Sequence, residues 1–269
     1  MLTDPGQSAN ADSRRGPPSG RHVAVGVHAA AAFLAARPGD VERVLLTREA
    51  SVEVSRMVDV AGVAVEHCDR GAVERVAMGV PHQGIVALGK PPPGLSLEEL
   101  ARRAPDLVLV LDEVTDPRNV GALLRSAEAS GAGAVVLARD RAPQLSPALI
   151  KAAAGAVEWL PLVRVVNIAR ALDTLQGAGY WTIGLAGEAE QSLYAPGAVP
   201  GLPAALVVGS EGGGMRPLVR RGCHRLLHIP MQGRTPSLNV SVAAAIALFE
   251  LRRVATDRSV GKGVAPTKP

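Results

Sequence analysis

Three turns rich in glycine, asparagine and serine carry the side chains of this chain that best suit ligand binding and group transfer. They span residues 116–125, 209–215 and 229–239, and each follows an apolar run typical of a β-strand. Glycines allow a ligand to approach the backbone closely and to reach its N–H groups. Three such turns in one chain predict a single site to which all three contribute.

The first turn contains an amide, Asn119, and a guanidinium, Arg125. Asp116 and Pro117 favour a helix start, because proline lacks an N–H that the first turn does not need. Residues six positions apart lie about 240° apart around a helix. Both side chains therefore serve one site only if one acts from the loop; otherwise they serve different subunits. Alternatively, Arg125 is an ordinary solvated arginine.

The second turn, Gly209–Met215, contains three consecutive glycines and one acid, Glu211. It has neither the G-x-G-x-x-G spacing nor the Lys and Ser/Thr of a Walker loop. A carboxylate here suits an ammonium or hydroxyl group of a ligand, or a hydrogen bond that orients another loop. A plain turn is the alternative.

The third turn places Ser237 and Asn239 at the start of a long apolar helix, where serine or asparagine is a natural N-cap. Met231 and Leu238 supply apolar walls beside these polar residues. Such a mixture suits a flat heterocycle held by backbone hydrogen bonds. The alternative is a capped core helix and nothing more.

Composition restricts the class of protein. Of the 269 residues, 47% are hydrophobic but only 2% aromatic, so alanine, valine and leucine must pack the core. The net charge of +4 is compatible with a polyanionic partner. Two cysteines without a CxxC pair, and histidines without ligand spacing, predict neither a disulfide framework nor a metal site. The absence of a signal sequence or a long apolar run predicts a soluble cytoplasmic protein.

Segment composition predicts the domain organisation. Residues 1–20 and 256–269 are expected to be disordered tails, and the Pro-rich segment 91–105 a linker with a short helix. Residues 21–90 alternate short strands and helices, which predicts a small α/β domain. Residues 106–255 contain nearly continuous apolar strands separated by helices, which is typical of a parallel sheet buried on both faces.

The motifs in these turns resemble those of a known family. N-x-G-A-x-x-R-S-A at 119–127, G-S-E-G-G-G-M at 209–215 and I-P-M with S-L-N-V-S at 229–241 are similar, in order and spacing, to the three motifs of the SpoU/TrmH family. These enzymes are RNA ribose 2′-O-methyltransferases of the SPOUT class. The segment V-P-H-Q-G-I-V-A at 80–87 resembles the RlmB branch, which methylates a guanosine ribose in large-subunit ribosomal RNA.

The resemblance implies an α/β methyltransferase domain with a trefoil knot, a small N-terminal RNA-binding domain, a homodimer, and S-adenosyl-L-methionine as cofactor without a metal. It implies that Arg125 meets the target ribose and its phosphate. The residues implied to hold the catalytic geometry are Asn119, Glu211, Ser237 and Asn239. The residues implied to bind the cofactor are Gly209, Ile229, Leu238, Met231, Leu185, Ala186 and Ser237.

Three other functions remain open from the sequence: a transfer-RNA 2′-O-methyltransferase, a non-catalytic RNA-binding protein of the same fold, and an unrelated nucleotide-binding enzyme. The last would need a phosphate loop that the sequence lacks. With so few aromatic residues, RNA contacts are expected to be electrostatic rather than stacked. The candidate arginines for phosphate contacts are Arg139, Arg141, Arg216, Arg220, Arg221, Arg225 and Arg234.

Overall fold

The computed structural model describes residues 20–261, which divide into two compact units. Unit 1 comprises the described residues up to Pro92 together with Leu145–Glu158, and unit 2 comprises Pro93–Gln144 and the chain from Trp159 onward. The predicted N-terminal tail, except Gly20, and residues 262–269 of the predicted C-terminal tail lie outside the described residues. None of the helices within 20–261 combines the length and apolarity needed to cross a bilayer.

Unit 1 contains a four-stranded sheet in the order β1-β4-β2-β3. The β2 and β3 strands pair in parallel, whereas β4 runs antiparallel to β1 and β2. Valines and leucines of the sheet pack with the third helix to form its core. The elements are β1 (His22–Val25), α1 (Val27–Ala36), β2 (Val41–Thr47), α2 (Val52–Ala61), β3 (Val65–Cys68), α3 (Arg70–Ala77) and β4 (Ile85–Gly89).

Unit 2 contains a seven-stranded sheet, β7-β6-β5-β10-β8-β11-β9, whose described pairs are all parallel. Every residue of β5, β6 and β10 is buried, which confirms the prediction from their continuous apolar runs. The elements are α4 (Leu97–Arg103), β5 (Leu107–Leu111), α5 (Pro117–Ala129), β6 (Ala134–Ala138), β7 (Leu162–Val165), α7 (Ile168–Gly177), β8 (Trp181–Leu185), β9 (Gln191–Ser192), β10 (Ala204–Val208), α8 (Pro217–Arg221), β11 (Arg225–His228) and α9 (Val240–Gly261).

The sequence-based boundaries differ from the structure in three places. Residues 145–158 pack into unit 1, although the sequence places them inside the second domain. The helix of the predicted linker, α4, buries Leu100 in the core of unit 2, so it belongs to that unit. The last helix, α9, continues to Gly261 through the first residues of the predicted tail.

The returning segment in unit 1 consists of α6 (Pro147–Ala152) and a 3₁₀ turn at Ala156–Glu158. The side chain of Ser146 accepts the N–H of Leu149 and so caps α6. Gly155 lies so close to α1 that a Cβ atom at this position would come within 2.4 Å of the Ala32 Cβ. Only a residue without a side chain permits this approach.

A buried ionic cluster joins this segment to the first strand and helix of unit 1. The Glu158 carboxylate lies 2.6 Å from His22 Nε2 and accepts a hydrogen bond of 2.6 Å from Arg37 Nη2. The side chains of His22 and Glu158 are fully buried. The ring of Phe33 packs edge-on against His22 and lies under the Arg37 guanidinium. Buried charges are costly unless paired, and here the acid has two partners.

Two histidines of unit 1, His22 and His82, are buried, whereas His28 and His67 are exposed. His82, in the turn before β4, is only 5% exposed, and its Nδ1 accepts a hydrogen bond from the Gly84 N–H at 3.1 Å. Gln83 and Gly84, which complete the turn, both have positive φ angles, at 53° and 86°. His82 therefore shapes this turn from inside the unit.

Candidate functional site

A cavity of about 630 Å³ opens in unit 2 at the carboxyl ends of three neighbouring strands, β10, β8 and β11. Ligands of parallel α/β sheets bind at this edge, because the loops that follow adjacent strands meet there. The loops that contribute follow β8 at 186–188, β10 at 209–215 and β11 at 229–239. The lining residues are Leu185, Ala186, Gly187, Glu188, Val208, Gly209, Ser210, Glu211, Gly212, Gly213, Gly214, Met215, Arg220, Ile229, Met231, Pro236, Ser237, Leu238, Asn239, Val240 and Ala243.

The glycine loop after β10 closes on itself as a tight hairpin. Ser210 and Gly214 exchange two backbone hydrogen bonds of 3.0 Å. A Cβ atom on Gly209 would lie 2.0 Å from the carbonyl carbon of Gly214, and Gly212 has a φ of 80°. These glycines are therefore required by the shape of the loop, which holds Glu211 near its tip.

Asp112, in the turn after β5, has a buried carboxylate that anchors the end of the glycine loop. Its side chain is fully buried and accepts hydrogen bonds from the Arg216 backbone N–H at 2.7 Å and from Arg216 Nε at 2.8 Å. Arg216 directly precedes α8 and directly follows Met215. Asp112 thus fixes the position at which the glycine loop ends, and it does so from a neighbouring strand.

Asn239 connects the three motifs through one side chain. Its Nδ2 donates to Glu211 Oε1 at 2.5 Å and to Asn119 Oδ1 at 3.0 Å. Its Oδ1 accepts from the Ser241 N–H at 2.9 Å and from the Ser241 hydroxyl at 2.6 Å. Both ends of the amide are therefore used, one to cap α9 and one to bind the other two motifs. We call Asn119, Glu211 and Asn239 the amide network.

The structure collects most of the residues singled out from the sequence. The seven predicted for the cofactor all line the cavity, as do Glu211 and Asn239. Ser237 also lines the cavity and is exposed, but the cap of α9 is Asn239, because the helix begins at Val240. Asn119 joins them through its bond to Asn239.

Arg125 is the exception. It lies on an exposed position of α5, six residues beyond Asn119, and is not among the residues that line the cavity. Asn119 joins the amide network from the first turn of α5, and a residue six positions later lies about 240° further around the helix. Within this chain, Arg125 is therefore not part of the site.

Two features of the site were not predicted from the sequence, the anchor formed by Asp112 and the ion pair between Glu188 and Arg220. Asp112 carries only a weak signal, as a lone acid at the end of an apolar strand. Glu188 and Arg220 form an ion pair at the cavity, although 32 residues separate them in the sequence. Pairing across such a distance has no local pattern that could reveal it.

Several arginines expected to be available for phosphate contacts have protein partners instead. Arg216 binds the buried Asp112, and Arg141 forms an ion pair with Glu113. The others with partners are Arg139, which pairs with Asp140, Arg220, which pairs with Glu188, and Arg225, which donates to the carbonyl groups of Gly197 and Ala198.

The two thiols are poor nucleophiles at neutral pH. Burial, reinforced by the charge of Asp112, raises the pKa of Cys223 to about 12. Burial and the nearby Glu66 raise the pKa of Cys68 to about 11. Because the thiolate is the reactive form, neither side chain suits covalent catalysis.

Comparison with protein families matches both units. Residues 106–249 match the SpoU rRNA Methylase family. Residues 23–94 match a family described as RNA 2'-O ribose methyltransferase substrate binding.

Two curated relatives span nearly the same length as this chain. The 23S rRNA (guanosine-2'-O-)-methyltransferase RlmB of Photobacterium profundum is 43% identical over 237 residues, which cover 85% of this chain and 96% of the relative. RlmB of Escherichia coli is 40% identical over 240 residues, with coverage of 85% and 96%.

Solved structures share the fold. A crystal structure described as an RNA 2'-O ribose methyltransferase superposes with a TM-score of 0.71 and 26% identity, covering 87% of this chain and 88% of that chain. The SpoU methyltransferase AviRb from Streptomyces viridochromogenes, solved in complex with AdoMet, gives a TM-score of 0.73 at 23% identity and covers 93% and 95% of the two chains.

Proposed function

The chain belongs to the SpoU rRNA methylase family, and we propose that it transfers a methyl group from S-adenosyl-L-methionine to the ribose 2′-OH of a guanosine in large-subunit ribosomal RNA. The observation that carries this proposal is the amide network at the cavity, because it joins three polar motifs at one point. The named activity of relatives at 40–43% identity supports the choice of ribosomal RNA and of guanosine.

The cavity suits the proposed cofactor in size and chemistry. Its volume of about 630 Å³ lies in the range of small-molecule sites, and its walls mix apolar side chains with backbone polar groups. We propose that Gly209, Ile229 and Leu238 hold the adenosine part through backbone atoms. Met231, Ser237, Leu185 and Ala186 enclose it.

The cofactor supplies a methyl group already activated by its sulfonium, which leaves this chain to position the acceptor and to help it lose a proton. A ribose hydroxyl is a poor nucleophile at neutral pH, so correct placement lowers the barrier by several kcal/mol. We assign placement to Asn119, Glu211 and Asn239, with Ser237 beside them. Arg125 stabilises the alkoxide that develops at the 2′ oxygen, since a guanidinium remains protonated and cannot act as the base.

We propose a homodimer in which each site receives Arg125 from the partner subunit, because this exposed side chain does not line the cavity of its own chain. The helix α9 exposes Val242 and Phe249, which are 48% and 50% accessible and supply apolar surface for such a contact. Unit 1, which matches a substrate-binding family, is proposed to bind the RNA.

The family relationship also supports a trefoil knot in the C-terminal part of unit 2 and a cytoplasmic location, where ribosomes are assembled. In the sheet, β10 lies between β5 and β8, and α9 packs on α5, so the last part of the chain returns to elements formed by its first part. A knot is rare in proteins and requires the chain end to pass through a loop.

The reaction is tested with isotopically labelled S-adenosylmethionine and two unmodified substrates, 23S ribosomal RNA and a transfer-RNA mixture. We expect label in the ribosomal RNA, on one guanosine ribose when nuclease fragments are mapped by mass spectrometry. Label only in transfer RNA would replace the substrate with the transfer-RNA alternative. Tight RNA binding without transfer to either substrate would support a non-catalytic RNA-binding protein.

Subunit complementation tests the origin of Arg125. Arg125→Ala and Glu211→Gln are each expected to be inactive as homodimers. If Arg125 acts across the interface, unfolding and refolding the two variants together restores about a quarter of wild-type activity, since half of the dimers are mixed and each has one intact site. No restoration would place Arg125 in the site of its own subunit. An active Arg125→Ala homodimer would remove it from the mechanism.

A further inference from the structure

We propose that Arg220 and Glu188 form the subsite for the amino-acid end of the cofactor, with Arg220 binding its α-carboxylate and Glu188 its α-ammonium group. The inference rests on the proposed function, because it takes S-adenosylmethionine as the ligand of the cavity.

The distribution of charge in the cavity leads to this assignment. Among its described lining residues, the ionisable side chains are Glu188, Glu211 and Arg220, with a formal sum of −1. The cofactor has a carboxylate, an ammonium and a sulfonium, with a sum of +1, so the two sets of charges are complementary. Glu211 is held by the Asn239 amide. Arg220 and Glu188 remain to receive a carboxylate and an ammonium.

The positions of the two side chains suit this exchange of partners. Arg220 lies in the last turn of α8, and Glu188 follows β8 by three residues in the loop that begins with Ala186 and Gly187. They pair with each other, and their side chains are 38% and 62% exposed. An ion pair this exposed contributes little to stability, so a ligand can separate it at small cost. The amino-acid end of the cofactor, which is a zwitterion, then replaces the Arg220–Glu188 pair by two ion pairs, one with each side chain.

The chemistry of arginine strengthens the assignment. Its planar guanidinium can donate two parallel hydrogen bonds to a carboxylate, a geometry that lysine cannot reproduce. Arg220 is the only cation among the described residues that line the cavity. A carboxylate that entered the cavity without this partner would face Glu188 and Glu211, which repel it.

The test compares two ligands by calorimetry on the full-length protein. S-adenosylhomocysteine has the amino-acid end, whereas 5′-methylthioadenosine has the same adenosine and sulfur but lacks that end. We expect Arg220→Ala to weaken the binding of S-adenosylhomocysteine about 10- to 100-fold, because a hydrogen bond to a charged group is lost. The affinity for methylthioadenosine should stay within about twofold. Glu188→Gln should also weaken the binding of S-adenosylhomocysteine, but by less than Arg220→Ala does. It should leave the affinity for methylthioadenosine unchanged.

Two controls define the outcome. Arg221→Ala removes the neighbouring exposed arginine of the same helix, which does not line the cavity, and should leave both affinities unchanged. Arg220→Lys should give an intermediate affinity for S-adenosylhomocysteine. The proposed subsite would be overturned if Arg220→Ala left the affinity for S-adenosylhomocysteine unchanged. It would also be overturned if this variant lowered the affinities for both ligands equally. Failure of the wild-type protein to bind either ligand would instead overturn the proposed function.

Discussion

Two carboxylates join distant segments of this chain in opposite environments. In unit 1, Glu158 is fully buried and binds His22 and Arg37, which lie more than 120 residues earlier. In unit 2, Glu211 is exposed and binds Asn239, which also binds Asn119. Both arrangements tie three segments together. Only the second leaves polar groups accessible to a ligand.

The difference separates a structural from a functional use of the same side-chain type. A buried carboxylate must have its partners inside the protein, because an uncompensated charge away from water is strongly destabilising. An exposed carboxylate has no such requirement, since water satisfies the acceptor positions that the protein leaves free. Glu158 therefore cannot bind a substrate, because its carboxylate is buried with its partners. Glu211 retains one oxygen with no bond to Asn239.

The largest predicted effect concerns the buried cluster. Glu158→Ala should lower the free energy of unfolding by about 3–5 kcal/mol, because His22 and Arg37 lose their partner inside unit 1. Urea denaturation measures this change. Glu42→Ala, which removes the exposed partner of Arg21, is the control and should cost no more than about 1 kcal/mol. Equal losses in the two variants would show that burial does not distinguish them.

The second prediction concerns Glu211, whose replacement should reduce activity but not stability. Glu211→Gln should reduce the rate of methyl transfer about 100-fold, because a neutral amide replaces the carboxylate that holds Asn239 and the acceptor is then misplaced. Its free energy of unfolding should stay within about 0.5 kcal/mol, as is usual for surface positions. Single-turnover assays and urea denaturation measure the two quantities. Glu190→Gln, an exposed acid that does not line the cavity, should change neither. A large loss of stability in Glu211→Gln would make Glu211 a structural residue like Glu158.

The smallest predicted effect separates the two duties of Asn239. Asn239→Ala removes the helix cap and should lower the melting temperature by about 2–4 °C, equivalent to roughly 1 kcal/mol. Asn239→Asp keeps an oxygen that accepts the Ser241 N–H, so the cap should be retained, and any fall in the melting temperature should come from repulsion between the new carboxylate and Glu211. Both variants lack the amide donor, and both should lose methyl transfer. An active Asn239→Asp would show that the donor is dispensable.

Local patterns predicted the elements of the fold well. Residues 21–90, predicted to alternate short strands and helices, contain β1 to β4 and α1 to α3, and the continuous apolar strands predicted after residue 106 include β5, β6 and β10. Apolar periodicity and chain punctuation are local properties, so they are visible in the sequence. The end of α9 was missed because its last turns are polar, and β9 because two residues give no periodicity.

Long-range pairs could not be predicted in this way. Nothing near Glu158 indicates that its partners are His22 and Arg37, and nothing near Asp112 indicates Arg216. The residues of the cavity were found through family motifs, which preserve spatial information that periodicity lacks. Glu188 and Arg220 lie outside those motifs, and only the folded structure shows that they pair with each other at the cavity.

The discontinuity of unit 1 also affects how the protein can be made. A ribosome releases the chain from its N-terminus, so β1 and α1 emerge long before residues 145–158. Until then, His22 and Arg37 lack the Glu158 carboxylate, and Ala32 lacks the backbone of Gly155 packed against it. Completion of unit 1 must therefore wait while β5, α5 and β6 of unit 2 are synthesised. A gene fragment that stops at residue 92 encodes all four strands of the sheet, yet omits the acid that neutralises its buried cluster.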